Sequence, residues 1–363
     1  MWSCMWSWTV IERKRDPACR TSKNREYHKR GSIPATRRKV CGSTMKWRPA
    51  YACSVRLLRK MVWTARVHPR FSFRSELRLS RVAYVNGRYL SRRDASVNIE
   101  DRGYQFADGV YELCEVREGR LIDERRHVER LRRSLNELKI VWPLAPSALA
   151  MVMRETIRRN RVRNGIVYVQ VTRGVARRDH AFPAAGTPSS IVVTARSLDP
   201  AANERMAAEG IAVITVPDDR WSRVDIKTIA LLPNVLAKQS ARSQGAREAW
   251  LMDHEGRITE GSSSNAWIVT ADGKVVTRPA DNGILRGITR SVLIDAVKAQ
   301  GLAFEERAFS LAEAHAAREA FVTAASQIVM PVVRIDGRPV GNGKPGPVAT
   351  ALRRDFHRHA EWA

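Results

Sequence analysis

Asp225-Ile226-Lys227-Thr228-Ile229-Ala230-Leu231-Leu232-Pro233 sets a single lysine against an apolar run. A charged ammonium is costly to bury in such surroundings, so they favour the neutral amine, the form that attacks carbonyls. Lys227 is therefore a candidate Schiff-base amine. On the local sequence alone a second reading stands beside it, in which the flexible stem snorkels and leaves the head in water.

Two segments farther along carry further chemistry. Ile258-Thr259-Glu260-Gly261-Ser262-Ser263-Ser264-Asn265 lies between two expected strands. Its glycine and small hydroxyl residues permit close backbone approach, and Glu260 could face a ligand from the strand end; a polar hairpin turn would read the same way. Leu285-Arg286-Gly287-Ile288-Thr289-Arg290 opens an expected helix near 288–300. Its free backbone N–H groups suit a phosphate, and an ordinary helix cap accounts for the same residues.

The patterning around these segments predicts α+β layers rather than a regular doubly wound sheet. Val82–Val85 and Tyr89-Leu90 flank Asn86-Gly87, a tight-hairpin signal. Val110–Val116 reads as a strand. Glu124–Leu138 carries apolar residues at helical spacing, another helix is expected over about Pro146–Asn160, and Ile166–Thr172 alternates as a half-buried strand does. The polar stretch Ser197–Glu204, with Pro200, reads as a short linker between a smaller domain over 81–200 and a larger one over 201–363. The larger domain is expected to hold strands near 211–216, 248–252 and 266–270 and a helix near 233–244. Phe321–Val333, interrupted by Gln327 and Pro331, reads as buried strand and loop rather than a membrane span. Gly341-Asn342-Gly343-Lys344-Pro345-Gly346 mimics a dinucleotide motif, but too little chain follows it to complete a βαβ unit, so a surface turn is expected.

The 363 residues carry a net charge of +26, which raises the question of a nucleic-acid partner. Residues 1–80 hold 20 Lys or Arg against 4 Asp or Glu, five of the ten Trp, and Cys4, Cys19, Cys41 and Cys53, so most of the basic character lies outside the patterned part. That stretch shows no sustained period, no signal-peptide core and no metal-ligand spacing. It reads as a disordered extension or an over-extended start. A basic nucleic-acid-binding protein acting through residues 1–80 is the alternative from outside enzymology. Its sign would be salt-dependent binding lost on deleting them. With no export signal and no paired cysteine framework, the cytoplasm is the expected location.

Seven segments occur in one order from about Val82 almost to the C-terminus: Glu100-Asp101-Arg102-Gly103-Tyr104-Gln105-Phe106, Asp108-Gly109-Val110-Tyr111-Glu112, Val171-Thr172-Arg173-Gly174, Asp225-Ile226-Lys227, Ala237-Lys238-Gln239, the Thr259–Asn265 run, and Gly287-Ile288-Thr289-Arg290. Together they resemble the fold type IV pyridoxal-phosphate aminotransferases of the D-amino-acid and branched-chain type. The resemblance implies a two-domain homodimeric architecture with pyridoxal 5′-phosphate between the domains, and no metal. It implies that Lys227 attaches the cofactor and shuttles a proton, and that Glu260 pairs with the pyridinium nitrogen. Arg130, with the helix start at Ile288 and Thr289, would bind the phosphate. Leu285 would pack on the ring, and Ser263 and Ser264 would line the cofactor.

Tyr111, Arg178 and His180 are matched to the residues that gather the substrate carboxylate in the D-amino-acid branch, a task suited to a guanidinium fork and two further donors. The spacing in Arg177-Arg178-Asp179-His180 favours D-substrates. The expected reaction is ping-pong transfer from a D-amino acid such as D-alanine to a 2-oxo acid such as 2-oxoglutarate. Within the same fold, a branched-chain aminotransferase, an amine transaminase and an aminodeoxychorismate lyase are the alternatives. Val322-Thr323-Ala324-Ala325-Ser326 departs from the family by carrying fewer hydroxyls near the phosphate.

Overall fold

The computed structural model describes residues 82–363. The expectations for residues 1–80 and their cysteines lie outside the described residues.

Asn86-Gly87 makes the expected turn. With φ of 45° and 91° both residues take the left-handed region that a two-residue hairpin loop requires, and Val82–Val85 pairs antiparallel with Arg88–Ser91. The hairpin starts a six-stranded antiparallel sheet in the spatial order Arg88–Ser91, Val82–Val85, Ser190–Ser197, Gly165–Thr172, Gly109–Arg117, Arg120–Leu121. The period of two along its strands sends Val110, Cys114, Val116, Val167, Val169, Val171 and Val193 into one core. Helices Glu124–Glu137 and Pro146–Asn160 supply Leu131, Leu135, Leu149, Met153 and Ile157 to it.

Ser197–Glu204 is not a loop. The strand Ser190–Ser197 ends at its first residue and helix Pro200–Glu209 takes up most of the rest. Asp199 accepts a hydrogen bond from the Ala201 N–H as a cap, and Pro200 sits in the first turn, where its missing N–H costs nothing. The proline starts a helix instead of breaking the chain.

A second, ten-stranded sheet follows in the order Phe304–Glu306, Val275–Thr277, Asn265–Val269, Glu319–Ala324, Ile328–Ile335, Ile211–Pro217, Glu248–Met252, Arg257–Gly261, Phe309–Ser310, with Arg338–Pro339 added beside Ile328–Ile335. Ile211–Pro217 lies parallel to both its neighbours, whereas the pairs around Glu319–Ala324 are antiparallel. Alternate residues divide between faces. Val213, Trp250, Ile268, Val322 and Met330 pack with Phe309 and Ala314. Trp267, Phe321 and Val329 pack with helices Ile288–Ala299 and Pro347–His359, and Ile214, Ala249 and Leu251 with helix Leu232–Ser243.

Phe321–Val333, read as strand and loop, belongs to two adjacent strands joined by a short turn. Pro331 pairs with Phe321 inside the second strand, close to a register shift between Val332 and Arg334 that loosens the ladder on the other side. Among the described residues no helix is long and apolar enough to cross a membrane.

Candidate active site

Residues 225–229 run along the strand Gly109–Arg117. The Tyr111 N–H donates to the Lys227 carbonyl at 3.0 Å and the Ile229 N–H to the Gly109 carbonyl at 3.1 Å. Gly109 eases this approach, since a Cβ there would stand 3.0 Å from Ile229 Cδ1, as well as 2.7 Å from the Val171 carbonyl oxygen on the neighbouring strand. Asp225 anchors the segment through Arg133 Nη2 at 2.5 Å and Arg223 Nε at 2.9 Å. The backbone around Lys227 is thus fixed while its side chain is free to act. Nζ lies 4.1 Å from the centre of the Tyr111 ring and forms no ion pair with any described residue.

Lys227 borders a cavity of about 360 Å³ that Tyr111, Arg130, Glu260, Ser263, Ser264, Leu285, Ile288 and Thr289 also line. Nine of the residues singled out from the sequence therefore meet at one place. Glu260 is buried at the end of the strand Arg257–Gly261. Its Oε2 accepts from Asn265 Nδ2 at 2.9 Å, both oxygens accept from the Leu285 N–H at 3.2 Å, and Arg220 Nη1 donates to Oε1. Gly287 leaves space for Asn265, whose Oδ1 would be 2.1 Å from a Cβ there. Burial pushes the Glu260 carboxyl above its usual range against the pull of Arg220, and Asp218 holds Arg220 in turn through Nε at 2.8 Å and Nη2 at 2.7 Å.

Arg130 belongs to a second buried charge group. Glu112 takes Arg130 Nε at 2.7 Å and Nη2 at 2.8 Å, and also meets His127 Nδ1 at 2.7 Å. Arg130 Nη1 donates to the Arg286 carbonyl at 2.9 Å, which leaves one N–H on each terminal nitrogen. Helix Ile288–Ala299 begins beside it at Gly287 with no side-chain cap, so its first N–H groups are free for an anion. Burial would raise the Glu112 carboxyl, but Arg130 and His127 outweigh it and hold the group well below the usual glutamate range. That stabilisation is present above the ordinary value near 4.5 and is drawn down as the pH falls below it. Glu112→Gln should therefore be less stable than wild type at pH 7, with the gap narrowing below about pH 4.5 in urea unfolding. A pH-independent gap would contradict this assignment.

The serine hydroxyls are engaged by a further carboxylate. Ser262, Ser263 and Ser264 all direct their hydroxyls at Glu248, the last two at 2.8 and 3.2 Å, and Lys238 Nζ lies 3.0 Å from the same carboxylate. Ser263 and Ser264 line the cavity, but their protons are committed to Glu248, which leaves oxygen lone pairs and backbone N–H groups for a ligand.

Arg178 and His180 do not line the cavity of their own chain. Both are exposed, and both rest on Phe106, with the Arg178 guanidinium 4.9 Å and the His180 ring 5.4 Å from its centre. Sequence reading missed Arg220, Asp218, His127 and Glu248. Their contacts to Glu260, Thr259, Glu112 and Ser262 span between 14 and 41 residues, so no local spacing marks those links. Among the described residues no group of His, Cys, Asp and Glu could hold a metal ion.

A family model, amino-transferase class IV, matches residues 109–335. D-alanine aminotransferase of Staphylococcus haemolyticus is 39% identical over 279 residues, which make up 77% of this chain and 97% of that one. D-alanine aminotransferase of Listeria innocua serovar 6a is 41% identical over 274 residues, 75% of this chain and 93% of that one. The solved T.th. branched-chain amino acid aminotransferase with pyridoxamine 5′-phosphate superposes with a TM-score of 0.71 at 27% identity, covering 77% of this chain and 93% of that one. The α+β fold is that of the fold type IV enzymes, as the motifs implied.

Proposed function

The chain belongs to the amino-transferase class IV family and is a transaminase, and on that premise we propose that it transfers the amino group of a D-amino acid such as D-alanine to a 2-oxo acid such as 2-oxoglutarate, with pyridoxal 5′-phosphate as cofactor. The observation that carries the reading is one cavity wall bearing Lys227, Glu260 and the Arg130–helix N-terminus pair. The curated relatives named D-alanine aminotransferase and the Arg178-x-His180 spacing support D-substrates. The smaller 81–200 and larger 201–363 domains and a cytoplasmic location are part of the same proposal.

The donor set fits this cofactor. A phosphate needs several N–H donors and a cation, which Arg130 and the N–H groups at Ile288 and Thr289 offer. A pyridine nitrogen needs a buried carboxylate, which is Glu260. An aldehyde needs an amine without a competing ion pair, which is Lys227. When bound, the cofactor supplies an electron sink for the bond broken at the substrate Cα. Lys227 Nζ would take the proton from the substrate Cα and deliver it to C4′ of the cofactor rather than back to Cα. Glu260 would hold a proton at the ring nitrogen, and a carboxyl made more basic by burial does so better than an exposed one. Leu285 would pack on the ring, Tyr111 supports Lys227 from below, and Ser263 and Ser264 would border the cofactor.

Arg178 and His180 lie outside the lining of their own cavity. A homodimer in which this loop reaches its partner's cavity is the arrangement we propose. Exposed Ile99, Tyr104 and Phe182 beside the loop support such a cover. Arg178→Ala should raise KM for D-alanine about tenfold or more while kcat changes less, as read in steady-state assays. Unchanged KM would remove the basis for the D-carboxylate reading and favour the branched-chain alternative, to which the solved neighbour belongs.

A further inference from the structure

The loop that carries Arg178 and His180 rests on a buried cluster that the chemistry above does not use. Arg102 is 3% exposed, and four of its five guanidinium N–H groups have partners. Nε donates to Asp108 Oδ2 at 2.8 Å, Nη1 to the carbonyls of Asp179 at 2.6 Å and Ala181 at 3.2 Å, and Nη2 to the carbonyl of His180 at 3.4 Å. Three successive loop carbonyls thus converge on one cation. Arg173 grips Asp108 from another side, through Nε at 2.7 Å and Nη2 at 2.9 Å, and ties the cluster to the carbonyls of Leu138 and Lys139. The base of the loop is closed by the Arg102 N–H, which donates to the Gly174 carbonyl at 2.9 Å.

Phe106, four residues along from Arg102, gives the side chains a platform. Its ring centre lies 4.9 Å from the Arg102 guanidinium, 4.9 Å from that of Arg178 and 5.4 Å from the His180 ring. An exposed arginine on a loop would otherwise surrender much rotamer freedom on meeting a carboxylate. Stacking on an aromatic ring removes part of that freedom before substrate arrives.

We propose that Arg102 and Phe106 are positioning residues for the substrate carboxylate: Arg102 fixes the backbone of residues 179–181, and Phe106 holds Arg178 and His180 in the orientation that receives it. This inference rests on the carboxylate role given to Arg178 and His180 above. It assigns substrate affinity to a motif, Arg102-Gly103-Tyr104-Gln105-Phe106, that lies wholly outside the cavity lining.

The test uses the full chain loaded with pyridoxal 5′-phosphate, with Phe106→Leu and Arg102→Lys assayed against D-alanine and 2-oxoglutarate. KM for both carboxylate substrates should rise about fivefold to tenfold, with kcat within about twofold and cofactor affinity unchanged. In an Arg178→Ala background, Phe106→Leu should raise KM by a smaller factor than it does in wild type, because one of the two side chains it orients is already gone. Unchanged KM in Phe106→Leu overturns the inference, as does a loss of kcat and cofactor affinity in step with KM. Phe106 is only half-buried and uncharged, so its variant carries the test even if Arg102→Lys fails to fold. If Arg178→Ala itself leaves KM unchanged, the carboxylate reading has failed. If it raises KM while Phe106→Leu does not, only the present inference has.

Discussion

Lys227→Ala should lower kcat by about four orders of magnitude or more, while the protein still folds and still takes up pyridoxal 5′-phosphate through its phosphate contacts. The size follows from Lys227 being asked to do two things, to form the covalent link and to move the Cα proton. No other described amine lines the cavity to take over. Folding should survive because the Lys227 side chain is half-buried without an ion pair, so its removal strands no buried charge. The segment is held by its backbone bonds to Gly109 and Tyr111 and by Asp225. Lys227→Arg should be nearly as damaging, since a guanidinium cannot supply a neutral amine near pH 7. Turnover and thermal unfolding measured on the same preparations check this. Activity within tenfold of wild type would contradict it.

Glu260→Gln should lower kcat about a hundredfold and weaken cofactor binding less. The amide can no longer hold a proton at the ring nitrogen. The loss should exceed that of one hydrogen bond because of Arg220, whose Nη1 donates to Glu260 while Asp218 secures the rest of the guanidinium. Without the Glu260 charge, a buried cation faces the position where the ring proton must reside. Arg220→Met placed on Glu260→Gln should therefore recover part of the lost rate, a coupling that independent sites would not show. Steady-state kcat of the two single variants and the double variant decides it. Glu260→Gln within threefold of wild type would contradict the assignment.

Much of the site was readable because each expected residue sits in a short segment with its own signature. Lys227 stands against an apolar run, Glu260 precedes a glycine and three serines, and Ile288 and Thr289 open a helix. The groups that tune those residues were hidden. Arg220 pairs with Glu260 across 40 positions, and Asp218-Asp219-Arg220 alone reads as a charged turn. Glu112 was visible as part of a motif, but its hold on His127 and Arg130 arises only when the strand Gly109–Arg117 packs against helix Glu124–Glu137.

The same logic separates the elements. Pro146–Asn160 and the strand Gly165–Thr172 carry strong apolar periods and were legible. Helix Pro200–Glu209 buries only Ala207, so it has no apolar stripe to reveal it. Arg178 and His180 were legible as a spacing, whereas their stacking on Phe106 arises only when the loop folds back on helix Arg102–Phe106.

The most direct test of the central claim is a single-turnover measurement on the pyridoxal 5′-phosphate-loaded protein with an amino donor and no oxo-acid acceptor. With D-alanine, about one equivalent of pyruvate per Lys227 should form in a burst and then stop until 2-oxoglutarate is added, and L-alanine should give none. A burst with an L-amino acid alone, or no burst with either, would contradict the account.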